Sequence, residues 1–303
     1  MANETVKKTS IAGQALIEGL LMRGPHKTAI VCRKPGQEMV VKEEPNGTLS
    51  HGKWARIPVV RGVVSFWDSM KFGMSALMYS ADFFDDGEPV EKGKFEAWLD
   101  RKLGEEKVEK LALGLALAMG IGMPTLLAGL VGDGMPSLLR NLMEGCIRIL
   151  IFLCFIWITS RQSDVHRTYM YHGAEHKTIA CYEKGLPLTV DNVRSCIRFH
   201  PRCGTSFLFM VMIISILFFS LFSWSNPWVR MALRLAMLPV VAGVSYEINR
   251  FAGRYDNWLT ILLRKPGLAL QRLTTAEPTD DMIEVGIEAM KRVIPENENE
   301  DRW

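Results

Sequence analysis

The run FLFMVMIISILFFSLF, residues 207–222, holds sixteen residues without a single charge. A helix of that composition has no polar face to offer water, so it must be buried on every side or lie in lipid. Three further stretches share its character: residues 111–131, a stretch centred on 146–159, and 229–246. A hydrocarbon core of about 30 Å needs about twenty mostly apolar residues at the helical rise. The segment CIRILIFLCFIWIT reaches that length by extending back through PSLLRNLMEG. The expected fold class is mainly α: a polytopic helical membrane protein of about four spans, with a small strand-rich N-terminal cytoplasmic region.

The first ten residues are polar and lead through Lys7 and Lys8 into SIAGQALIEG, so no signal peptide is expected. Basic residues near the spans set the orientation. With four spans, Lys107, Lys110, Arg161, Arg167, Arg202, Arg250 and Arg254 share one side, against Arg140, Arg148, Arg230 and Arg234 on the other. The fuller side is assigned to the cytoplasm. The protein is therefore expected in the inner (plasma) membrane, multi-pass, with both termini and residues 160–206 cytoplasmic. All six cysteines then lie in reducing solvent or bilayer, so disulfides are not expected and cysteine–histidine groups point to metal or redox sites. A formal net charge of +3 gives no argument for nucleic acid. The partners expected are the lipid bilayer and other membrane proteins.

Six regions follow along the chain. Residues 1–57 read as a strand-rich unit, because TAIVCRKP and EMVVKEEP are β-rich runs joined around Pro35–Gly36. Residues 58–110 hold an interfacial helix and a charged connector. Residues 111–159 carry the first two spans, 160–206 a cytoplasmic His/Cys-rich loop, and 207–246 the last two spans. Residues 247–303 hold two short helices, the second capped by Thr279 and stopped at Pro295, then an acidic tail read as disordered. Arg140, Glu144 and Arg148 recur at a spacing of four, as do Arg230 and Arg234, which suggests ion pairs within the bundle.

Four of the six histidines fall between Gln162 and Arg202, and two of them bracket a glutamate in HGAEH. A helix capped at Ser163 and closed at Gly185 puts His172, Glu175 and His176 on one stripe, since residues three and four apart are neighbours. Two imidazoles at that spacing can hold one divalent ion, and a carboxylate beside them is placed to act as a general base. His200 and Cys203 in RFHPRCGTSF, or Glu247 in VSYEINR, can complete the set. The rival reading is that these histidines bond headgroups or cap helices.

Five segments, AGQALIEGLLMRGPHKTAI, YMYHGAEHKTIACYEKG, RFHPRCGTSF, SYEINRFAGR and PGLALQRLTTAEP, resemble the YqhQ-type bacterial membrane proteins, over about residues 11–294. That resemblance implies a family of unknown function labelled as metal-dependent enzymes. It implies that His172, Glu175, His176, His200, Arg202 and Cys203 carry the motifs, with Gln14, Glu18 and Arg23 near the start. The function expected is a cytoplasm-facing divalent-metal site, with zinc as the cofactor, in a metal-dependent hydrolase of unknown substrate. In it His172 and His176 ligate the metal with Cys203 or Glu247 as third ligand and His200 as a further candidate, Glu175 is the general base, Arg202 stabilises developing negative charge, and Gln14, Glu18 and Arg23 contact substrate. The alternative is a membrane-protein assembly or scaffold factor in which the metal is structural or absent.

Overall fold

The computed structural model describes residues 7–34, 38–46, 57–82, 136–221, 227–297 and 300–302. Among them a four-stranded antiparallel meander runs β1 (Ala12–Leu16), β2 (Gly19–Arg23), β3 (Lys27–Arg33), β4 (Met39–Pro45). The last two strands are the β-rich runs of the sequence. The first two carry weaker signals, because their turn holds Glu18 at φ 48° where Gly or Asn is usual. Eight helices follow among the described residues: α1 (Val60–Asp82), α2 (Ser137–Thr159), α3 (Ser163–Glu183), α4 (Val190–Ser195), α5 (Gly204–Ser220), α6 (Pro227–Arg254), α7 (Trp258–Thr274) and α8 (Asp280–Val293). The protein is mainly helical with an N-terminal sheet.

Strand alternation gives the sheet two apolar faces. Leu20 pairs with Val31 and Met22 with Ala29, and this face packs on Tyr171, Ala174 and Ile179 of α3 and on Met282, Val285 and Met290 of α8. Leu16, Leu21, Ile30 and Cys32 point the other way, against Ala76 of α1. The sheet is thus a middle layer, with α1 on one side and α3 and α8 on the other. Two polar contacts fix α1 there. Arg23 donates to the buried Asp68 at 2.6 Å while its guanidinium lies over Phe72, and Gln14 donates to the Gly73 carbonyl at 3.4 Å. Further along, α1 crosses α6 so closely that a Cβ on Gly62 would sit 2.9 Å from the Gly243 Cα.

One helix among the described residues is long and apolar enough to cross a membrane, α2 over Leu138–Thr159, with a mean hydropathy of 2.0. Helix α5 is free of charge but only 17 residues long. Helix α6 has the length, at 28 residues, but carries Arg230, Arg234, Glu247, Arg250 and Arg254. The expected span at 111–131 and the connector at 83–110 lie outside the described residues.

The sheet, α1, α3, α4, α7, α8 and the adjoining ends of α2, α5 and α6 form one compact unit, and the rest of α2, α5 and α6 belongs to a second. Within the second, Glu144 is buried and accepts from Arg148 at 3.1 Å and from the Arg234 Nη2 at 3.2 Å, so three of the regularly spaced charges pair with one another. In the first unit the tail departs from expectation. Asp301 is fully buried, takes Lys7 at 2.9 Å and the Thr9 hydroxyl at 2.7 Å, and Arg302 bridges to Thr9. An acidic run reads as disordered only until a specific cation and hydroxyl meet it.

Asp68 is buried in an ion pair, so truncating its partner strands a charge. Arg23→Ala is expected to destabilise the sheet unit by about 3 kcal/mol, the range for breaking a buried pair. Thermal melting of the purified protein checks this, and an unchanged midpoint contradicts it.

Candidate metal centre

Helix α3 starts one residue before the expected cap: Gln162, with ψ 136°, is the N-cap and makes no side-chain bond. Its other end closes as the sequence implies. Gly185 adopts φ 67°, its N–H reaches the Tyr182 carbonyl at 2.9 Å, and the Leu186 N–H reaches Cys181 at 3.2 Å. Between those ends the stripe from Tyr171 to Cys181 is buried, which is unusual for a segment so rich in polar groups.

Two of those groups are His172 and His176, whose rings meet edge-on at 4.4 Å between centroids. His172 Nδ1 lies 2.8 Å from the Thr274 carbonyl at the end of α7, and His176 Nδ1 lies 2.6 Å from the Arg198 carbonyl. A carbonyl only accepts, so both Nδ1 atoms carry hydrogen and both rings present Nε2 as the coordinating atom. Cys203 supplies the third atom: its Sγ is 3.1 Å from His172 Nε2 and 3.1 Å from the Thr205 hydroxyl. The three ligand atoms lie within 4.8 Å of one another, and all three residues are buried. His176 Nε2 is buried and has no hydrogen-bond partner. An orphaned buried nitrogen is costly, and a cation at the meeting point satisfies it. The cluster can hold a divalent metal.

The charges agree with that arrangement. Burial works against a thiolate, but the imidazoles of His172 and His176 outweigh it and hold Cys203 well below the ordinary thiol range. Burial likewise disfavours a charged His172, yet the Cys203 sulfur, with help from Glu175, raises it to about 9.

Glu175 lies beside this group and is buried. Burial pushes its carboxyl above the usual carboxylate range, while the two histidines and the Gly13 N–H pull it back. Strand β1 presses on it: a Cβ on Gly13 would sit 2.8 Å from the Glu175 Cγ. Only glycine lets the strand come this close.

The other expected residues divide into two sets. His200 and Arg202 converge on Glu183, His200 at 3.4 Å and Arg202 as a close ion pair, with the Thr9 N–H adding a bond at 2.8 Å. The His200 ring is 5.7 Å from that of His176, so it lines the cluster without contributing to its three ligand atoms. Glu247 is engaged elsewhere, by Arg61 at 2.6 Å and the Val59 N–H at 3.2 Å. Gln14 and Arg23 face α1, and Glu18 accepts from Arg167 at 2.5 Å and from the Tyr171 hydroxyl at 3.3 Å.

Sequence reasoning missed Glu183, Gly13 and Gln271. Gln271 is fully buried; it accepts the His200 N–H at 2.9 Å and donates to the His200 carbonyl at 2.7 Å and the Ser206 hydroxyl at 2.8 Å. It clamps the loop that carries Cys203. Its signal was available: Gly267, Gln271 and Thr274 share one face of an amphipathic helix, and an amide on such a face needs partners.

The family described as proteins of unknown function (DUF1385) matches residues 57–296. The uncharacterized protein YqhQ of Bacillus subtilis (strain 168) is 31% identical over 300 residues, covering 93% of this chain and 91% of its own length. No solved structure matches the chain.

Gln271 touches no ligand atom, yet it holds the ligand-bearing loop. Gln271→Ala is expected to lower affinity for a divalent metal by about 10–100-fold, as outer-shell changes do. Glu247→Gln should leave it unchanged. Competition against a chromophoric chelator reads both, and weaker binding in Glu247→Gln alone would move the third ligand to α6.

Proposed function

The chain belongs to the DUF1385 family, and on the geometry of its buried cluster we propose that it is a multi-pass membrane protein with a cytoplasm-facing zinc site that works as a metal-dependent hydrolase. The observation that carries this reading is the common aim of His172 Nε2, His176 Nε2 and Cys203 Sγ. Two imidazoles and a thiolate favour zinc over magnesium or calcium, which prefer oxygen. Three protein ligands with a fourth position left over is the arrangement of catalytic zinc sites. When bound, the ion supplies a Lewis acid at the point where the three ligands meet.

The chain's own residues do the rest. Thr274 and Arg198 fix the ring orientations through their carbonyls. Glu175, held by the Gly13 N–H, is the general base. Arg202 and His200 hold Glu183 and so brace the loop before Cys203. Gln14, Glu18 and Arg23 act by fixing the β1–β2 hairpin over Glu175. Helix α2 supplies one membrane span, and α5 and α6 supply others. The excess of Lys and Arg on one side of the spans supports a cytoplasmic site.

One observation favours a second reading, an assembly or scaffold factor with a structural metal: His172, Glu175, His176 and Cys203 are all buried, as in a closed site. Glu175→Gln separates the two. A hydrolase variant is expected to keep its metal and its melting temperature while losing activity by about 10²–10⁴-fold, the usual contribution of a positioned acid–base group. Complementation of a deletion strain, with metal content measured on the same variant, is the test. Full complementation by a metal-replete Glu175→Gln protein removes the base and favours the scaffold.

A further inference from the structure

Helix α7 has two halves with different surroundings. Its C-terminal half holds the metal centre through Gln271 and Thr274. Its N-terminal half exposes Trp258 (76%), Ile261 (52%) and Leu262 (53%), with Leu259 beside them. At 100° per residue these four cover an arc of about 160°, with Thr260 turned inward. The corner before it adds two more exposed rings, Phe251 and Tyr255, 5.0 Å apart.

This corner is rigidly built. Asn257 and Thr260 form a reciprocal capping box, and Arg264 reaches back to Asp256 at 2.7 Å. Asp256, two residues before Trp258, is also taken by Lys8 at 2.6 Å. Arg254 and Lys265 stay exposed at its edges. Holding six large apolar side chains outward in fixed geometry needs an apolar partner to be favourable.

We propose that the α6–α7 corner and the N-terminal half of α7 lie in the headgroup region of the leaflet, so that α7 fixes the metal centre against the membrane surface. Two features select lipid as the occupant. The arc combines aromatic rings and aliphatic chains with bordering Arg and Lys, the composition of a helix lying in a membrane interface. It is also extended by the exposed rings of Phe251 and Tyr255 at the end of α6, aromatic side chains of the kind that mark a membrane interface. The proposal rests on the membrane reading above, and is independent of whether the metal is catalytic.

The test uses the full chain in phosphatidylcholine–phosphatidylglycerol nanodiscs, with an environment-sensitive fluorophore on one cysteine at a time. Cys146 and Cys154 are the exposed native cysteines, both on α2. With Cys146→Ala, Cys154 reports on the span. With both replaced by Ala, Leu262→Cys reports on the arc and Glu284→Cys, on the half-exposed side of α8, reports on water. Lipids spin-labelled below the headgroup are expected to quench positions 154 and 262 strongly and 284 weakly, with aqueous iodide showing the reverse order. Iodide quenching at 262 equal to that at 284 overturns the proposal. So does protection at 262 from both quenchers, the mark of a protein partner or second copy. If 154 is lipid-quenched and 262 is not, the α7 proposal fails alone; if neither is, the membrane reading fails with it.

Discussion

Two backbone carbonyls decide what the histidines of this protein can do. Thr274 and Arg198 each take an Nδ1–H, and that choice turns both Nε2 atoms toward Cys203. The rest of the first unit can be traced from that requirement. Thr274 must sit at the end of α7, Arg198 must precede the loop bearing Cys203, and both must be immobile.

Immobility comes from polar groups buried at a cost and fully partnered. Gln271 uses both ends of its amide to tie the His200–Ser206 loop to α7, and Glu183 collects His200, Arg202 and the Thr9 N–H. Removing one member of such a network strands the others, so it specifies one arrangement more sharply than apolar packing does. The sheet serves the same end from the other side. Its Leu20–Met22 face packs on α3 and α8, and β1 comes near enough to touch Glu175 because residue 13 has no side chain.

Local features were legible where one residue type settles the matter. The helix stripe of His172, Glu175 and His176 and its Gly185 terminus follow from spacing and composition, whereas Cys203 stood in the sequence as one of several candidate third ligands beside His200 and Glu247. The β3 and β4 runs were readable for the same reason. The β1–β2 hairpin was not, because its turn places a glutamate in a left-handed conformation that is stabilised by distant groups: Arg167 and Tyr171 hold the side chain, and the Arg33 N–H holds the carbonyl. Glu247 looked available as a ligand since its place in the chain suits one. Its bond to Arg61 joins residues 186 positions apart, which no local pattern reports. The buried Asp301 is hidden in the same way, inside a run of acidic and amide residues.

The central claim is the identity of the three donor atoms. X-ray absorption at the zinc edge of the zinc-loaded full chain tests it directly. The arrangement predicts one sulfur at about 2.3 Å and two imidazole nitrogens at about 2.0–2.1 Å, with any further donor a light atom. Cys203→Ala should remove the sulfur shell and leave the imidazole scattering in place. A shell of nitrogen and oxygen only, or one with two or more sulfurs, would contradict the account.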